Sequence, residues 1–310
     1  MEINNRKSQK ILPKLVIIDG FSNSGKSLIA PIISYLKGGE NWIIDYKYES
    51  IAQLEYLNKL DKKTAKNTIN LWLDSDIYDI SISRKVNFRK TDMSSVYASG
   101  MEELYLERME KKDGDYIIDE IKKNQTVLPL HLHYIIGFSD IYLDLAELYL
   151  IVIRNPLFLI KSWIEANWVN IFCQKQREFT LCIEKNDKKY PWFVKDYIKE
   201  YEEANDIEKS ILIVYYFYKK MEKMIKDREN VLIISFEDFI VNPNRYIKEI
   251  SDKLHTTKKD DFDKIMKILN LPRQKEKEYL LDEFLNEFEV NESYKNKILE
   301  LLEIYKRLLK

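Results

Sequence analysis

Residues 15–27 read LVIIDGFSNSGKS, and no other stretch restricts this chain as strongly. An apolar run at 15–18 predicts a buried strand. Gly20-Phe21-Ser22-Asn23-Ser24-Gly25-Lys26-Ser27 follows, and then Leu28 opens a second apolar run to residue 36. The pattern is G-x-x-x-x-G-K-S set between a strand and a helix, the context in which it binds phosphate. Two glycines let the backbone turn so that its N–H groups converge. The helix that follows adds the positive end of its dipole, so an anion can sit there. Lys26 then reaches the outer anionic groups, and Ser27 holds Mg²⁺ or donates directly to an oxygen. An ordinary glycine-rich turn is the bland alternative.

The rest of the chain supplies a sheet for this loop. Further apolar runs at 127–136, 148–153 and 231–235, and a shorter one at 42–45, are short and lack alternation, as parallel central strands do. Helical stretches at 27–36, 93–111, 204–228 and 246–254 lie between or beyond them. The expected fold is α/β, a central mostly parallel sheet with helices on both faces. Residues 1–255 form the main domain, and 256–310 a helical C-terminal extension packed on it, its last helix at 292–309. The charge-rich stretch 178–208 reads as a solvent-exposed insertion.

Composition excludes several classes. The 310 residues are 45% hydrophobic, enough for a sizeable core. A net charge of −1 gives no bulk pull toward nucleic acid or anionic membrane, so any anion site is local. No run of about 18 apolar residues is present, so no membrane span is expected. Cys173 and Cys182 do not make a disulfide framework or a C-x-x-C metal pattern, and a cytoplasmic setting is the simplest expectation. No metal site is predicted from ligand spacing.

A second anion signature follows the run at 148–153. Arg154-Asn155-Pro156 stands at the predicted strand's carboxyl end, where α/β sheets bind ligands. Ser162 lies two helical turns further on. Arginine offers a planar fork for phosphate, and serine one more hydrogen bond. A strand-end arginine paired with a carboxylate is the alternative.

The order of these features resembles the P-loop sulfotransferase superfamily, which uses 3′-phosphoadenosine 5′-phosphosulfate (PAPS) and releases the bisphosphate PAP. Members carry an N-terminal loop for the 5′-phosphosulfate. They carry a later Arg-x-Pro, with a serine eight residues after the arginine, for the 3′-phosphate; Arg154, Pro156 and Ser162 match it. Phe236-Glu237-Asp238, with Pro243 behind, is similar to their Tyr-Glu-Asp segment. His131 and His133 stand where members have Lys-Thr-His, whose histidine is the base. The resemblance touches 15–36, 127–163 and 231–250, and it implies a transfer from PAPS to a hydroxyl or amine of a small molecule or glycan. Two departures stand out. Asn23 replaces the usual basic residue, and Lys26 replaces a threonine. The late Arg-Lys-Gly signature is missing, with only Arg273, Lys275 and Lys277 nearby.

The full Gly-Lys-Ser loop also fits an ATP- or GTP-dependent kinase using Mg²⁺, with Asp19, Asp45 or Asp119 as the acid, although 116–123 reads better as an amphipathic helix. A nucleotide-sensing binding protein is the third class. For the acceptor, Arg84, Asn87 and Arg89 are the candidate substrate residues, beside Ser94. Trp42, Trp72, Trp163 and Trp168 are candidates for stacking on a ring, or core. His255, the third histidine, sits in a polar helix end.

Overall fold

A computed structural model describes residues 10–275 and 277–310. Five parallel strands form the central sheet, in the order β2-β3-β1-β4-β7. They are β1 (Lys14–Gly20), β2 (Ile43–Ile44), β3 (Val127–His131), β4 (Leu148–Ile153) and β7 (Val231–Ser235). β5 (Cys182–Lys185) and β6 (Lys188–Pro191) make a separate antiparallel hairpin. The strands of the main sheet are apolar on both faces because helices cover both, giving the predicted α/β architecture.

The register decides where chemistry can occur. Ile18 pairs with His131, Ile44 with His131, Gly20 with Val152, and Ile153 with Ser235. All five strands therefore end along one rim. β1 lies between β3 and β4, so the loop after Gly20 emerges between the histidine pair and Arg154. This is the crevice at the carboxyl ends of a parallel sheet where ligands bind.

Several predicted boundaries shift. β3 stops at His131, and Tyr134 adopts a left-handed φ of 46° before a short 3₁₀ turn, Ile135–Gly137. The turn is tied down by buried Asp19, whose Oδ2 accepts from the Ile136 N–H at 2.8 Å. The helix expected over 93–111 is split into Val96–Ser99 and Glu102–Arg108, because Gly100 takes φ 70° between them. The helix expected over 204–228 runs Asp206–Met224 and starts at Asn205 in a reciprocal capping box with Glu208.

The 178–208 stretch is not simply an exposed insertion. Its hairpin tip is exposed, but Tyr190, Trp192, Phe193, Val194, Tyr197 and Tyr201 are all buried, since aromatic residues among the charges pack into the core. Cys173 and Cys182 are joined as a disulfide that closes the loop before the hairpin. Nine residues apart, the two are near enough for a local bridge that composition does not reveal. At the C-terminus, helix Glu292–Leu308 lies along helix Asp206–Met224, with Tyr215 donating to Glu300 at 2.6 Å and Arg307 paired to Glu222 at 2.7 Å. No described helix is long and apolar enough to cross a membrane.

Candidate active site

The loop after β1 turns as its glycines require. Gly20 has φ 146° and Gly25 φ 98°, the second being the N-cap of α1 (Lys26–Ser34). A Cβ on Gly20 would lie 2.3 Å from the Val152 carbonyl oxygen, and one on Gly25 would lie 2.2 Å from the Phe236 ring. Neither contact is possible, so backbone conformation and close approach both demand glycine. No described side chain caps α1; its Leu28 N–H donates back to the Gly25 carbonyl at 2.9 Å, which leaves the N–H groups of Lys26 and Ser27 for another acceptor. Ser24 is fully buried, and its hydroxyl makes no hydrogen bond among the described residues. Ser22, Ser27 and Leu28 are half-buried at the loop's mouth, and Asn23 is exposed at its tip.

Lys26 is folded inward. Its ammonium donates to the carbonyls of Gly20 at 2.9 Å and Phe21 at 2.7 Å, using two of its three N–H bonds on the loop. Burial lowers its pKa to about 8, against the opposing pull of Asp19 and Glu49. Phe21 anchors the loop from beneath, its ring 4.7 Å from Trp163 and 5.5 Å from Phe217.

On one side of the loop stands Arg154. Its Nη1 donates to the Asn23 carbonyl at 3.2 Å. Its guanidinium stacks 3.6 Å from the Phe158 ring centre and 4.0 Å from that of Phe236. The backbone here is pinned: Tyr218 donates to the Arg154 carbonyl at 2.8 Å, and the Asn155 N–H donates to Glu237 at 2.7 Å. Pro156 opens the next helix, Pro156–Glu165, and Asn155 caps it. That helix carries Ser162, whose hydroxyl accepts from the Asn23 amide at 3.3 Å. Arg154, Ser162 and Asn23 are thus brought together. Beyond them lies a cleft of about 550 Å³ lined by Arg154, Arg245, Lys275, Lys277, Tyr279 and Tyr305, among others.

On the other side stand the histidines. Their rings lie 4.8 Å apart, but not through alternation along one strand, since β3 ends at His131 and His133 lies in the turn beyond it. His131 is 4% exposed, packs against Trp42 at 5.4 Å, and makes no hydrogen bond through either ring nitrogen among the described residues. Burial, then the charge of Lys26, hold it well below the ordinary 6.5, so its ring is neutral. His133 is partly exposed, and its Nδ1 lies 2.7 Å from a carboxylate that sequence reading missed, Glu49. Glu49 lies on α2 (Tyr46–Tyr56), which follows the edge strand β2. Only the fold joins residues 84 apart, and no local pattern marks this glutamate. Tyr46 of α2 meets Phe179, from the loop that the disulfide closes, at 5.6 Å.

The acids considered for Mg²⁺ are otherwise engaged. Buried Asp19 accepts from the Gly20 N–H, the Ile136 N–H and the Tyr149 hydroxyl. Asp45 caps α2 and pairs with Lys85 at 2.8 Å. Asp119 belongs to helix Tyr116–Lys123, as expected. Among the acceptor candidates, Arg84 pairs with Asp79 and Asp113. Asn87 bonds Ser94 at 3.0 Å, and Arg89 is 77% exposed beside Asp92. Arg84 and Asn87 line a separate pocket of about 290 Å³ with Trp42, Asp45 and Lys85; Arg89 does not. Trp42 and Trp163 are core residues. His255 lines a surface groove with Lys14 and Lys37.

No family model matches the sequence, and no curated protein does. Among solved structures, the chain is similar to a sulfotransferase domain from the Synechococcus PCC 7002 olefin synthase. The TM-score is 0.44 at 12% identity, over 97% of each chain. A sulfotransferase domain from the curacin biosynthetic pathway gives 0.43 at 11% identity, over 96% of this chain and 98% of that one. Retinol dehydratase, solved with androsterone and the inactive cofactor PAP, gives 0.32 at 14% identity, over 96% of this chain and 72% of that one. The first two of these are sulfotransferase domains by name.

Proposed function

We propose that this chain transfers a sulfuryl group from PAPS to a hydroxyl or amine of a small-molecule or glycan acceptor. One observation carries the reading. Asn23, at the tip of the glycine loop, touches both Arg154 and Ser162, so two anion-binding groups share one mouth. A nucleotide with phosphate at both ends of its ribose suits that spacing.

The residues present fit such a ligand. The uncapped first turn of α1 and the Ser24 hydroxyl, which has no partner among the described residues, form a cradle whose turn a side chain at position 20 or 25 would break by striking the Val152 carbonyl or the Phe236 ring. The amides of Ser22–Ser27 and Lys26 would hold the 5′ end, and Arg154 and Ser162 the 3′-phosphate. When bound, the donor supplies a sulfonate whose transfer spreads negative charge over its equatorial oxygens. Lys26 balances that charge from a buried position, where its field is little screened. His133, partly exposed and hydrogen-bonded at Nδ1, takes the acceptor's proton. His131 is too enclosed to reach an acceptor and keeps a neutral ring beside Lys26.

Thermal shift tests the reading. PAP at a hundred times its Kd should stabilise the protein by about 2.7 kcal/mol, a rise of roughly 5 °C. Stabilisation by ATP only with Mg²⁺, and none by PAP, would favour the kinase and overturn the proposal.

A further inference from the structure

Glu49 is a buried carboxylate, 6% exposed, whose Oε1 serves one residue twice. It accepts from the backbone N–H of His133 at 3.1 Å and stands 2.7 Å from the ring Nδ1 of the same residue. A carboxylate can only accept, so the ring nitrogen facing it carries the hydrogen. The other nitrogen, Nε2, then holds the lone pair, and it makes no hydrogen bond among the described residues. The support behind Glu49 is rigid. Asp45 caps α2, accepting from the Lys47 N–H at 3.1 Å. Tyr48 donates to Asp76 at 2.8 Å, and Tyr142 donates to the Tyr48 carbonyl at 2.7 Å.

We propose that Glu49 is the positioning residue of the transfer: it fixes His133 in the Nδ1–H tautomer and aims Nε2 at the acceptor. The inference rests on the sulfuryl-transfer reading above. In the step, the acceptor's proton moves to Nε2 and its lone pair forms the new bond to sulfur. The bond from sulfur to the 5′-phosphate oxygen breaks, and its electrons stay on that phosphate. Glu49 balances the imidazolium that results. Other titratable groups around the dyad include His131 on β3, Lys26 on α1, Tyr46 on α2, Tyr134, Tyr142, and Glu178 on the disulfide loop.

The experiment compares the wild type with Glu49→Gln and Glu49→Ala, each checked for an unchanged fold by circular dichroism. Nitrogen-15 spectra of histidine-labelled protein report the tautomer without any ligand. Release of PAP from PAPS, with water or 4-nitrophenol as acceptor, reports turnover, and PAP titration reports donor affinity. The wild type should show the Nδ1–H tautomer. Glu49→Gln, which keeps an acceptor oxygen, should keep it, and Glu49→Ala should show a mixture. Turnover in Glu49→Ala should fall about 100-fold with PAP affinity within twofold. An Nε2–H tautomer in the wild type, or wild-type turnover in Glu49→Ala, would overturn the role of Glu49 alone. Failure of the wild type to bind PAP would overturn the transfer reading, and the base role with it.

Discussion

Lys26 gives the account a quantitative test through pH. Burial lowers its pKa from the ordinary 10.5 to about 8. Below pH 8 the folded and unfolded chains both hold this proton, and the folded state bears the whole cost of a buried charge. Between about pH 8 and 10.5 the folded chain has released the proton while the unfolded chain keeps it. The unfolded state then binds more protons, so stability rises with pH across this window. At about 1.4 kcal/mol for each tenfold change, the full rise is about 3 kcal/mol, and about 2 kcal/mol is reached by pH 9.5. Buried tyrosines such as Tyr105 and Tyr149, held above the ordinary 10 by burial, oppose this rise near its upper end, so the informative quantity is a difference. Urea unfolding of the wild type and of Lys26→Met, from pH 7 to 9.5, removes their shared contribution. The wild type should gain on the variant by about 2 kcal/mol. A difference that stays flat would show that Lys26 is not a desolvated ammonium, and the electrostatic role given to it would fail. Bound anion reverses the shift by favouring the charged form. PAP affinity should therefore fall toward tenfold per pH unit above pH 8, with proton uptake on binding.

Two further perturbations address the loop and its cover. Gly25→Ala places a Cβ 2.2 Å from the Phe236 ring at φ 98°, and should cost about 2–5 kcal/mol by urea unfolding and abolish PAP binding by calorimetry. Affinity within twofold of the wild type would mean that the turn does not hold the nucleotide. Joint replacement of Cys173 and Cys182 by Ser should cost about 2–3 kcal/mol and speed proteolysis at 174–189, with PAP binding unchanged. Unaltered proteolysis would show that the bridge does not constrain the loop that carries Phe179.

What the sequence made legible was local. The glycine loop, its strand and its helix all lie between residues 14 and 34, and spacing fixes their geometry. Arg154 and Ser162 were legible for the same reason, since a strand end and two helical turns place both on one side. The histidines were readable as neighbours in sequence, but the expected shared strand was not found: β3 ends at His131, and the turn after it brings His133 alongside. Glu49 was not, because its contact with His133 depends on how β2 lies against β3. The disulfide was missed because two cysteines carry no pattern until the loop brings them together. The burial of Trp192 and Phe193 was missed because a charge-rich window hid an aromatic cluster that packs with Phe138 and Tyr134.

The shared mouth between Lys26 and Arg154 is best tested by calorimetry with adenosine 3′,5′-bisphosphate and adenosine 5′-monophosphate. The wild type should prefer the bisphosphate by 10- to 100-fold, the worth of about 1.5–3 kcal/mol for charged hydrogen bonds. Arg154→Ala should erase that preference and leave affinity for the monophosphate unchanged. A preference that survives the substitution would mean that the 3′-phosphate is held elsewhere, and the two-ended grip on one nucleotide would be wrong.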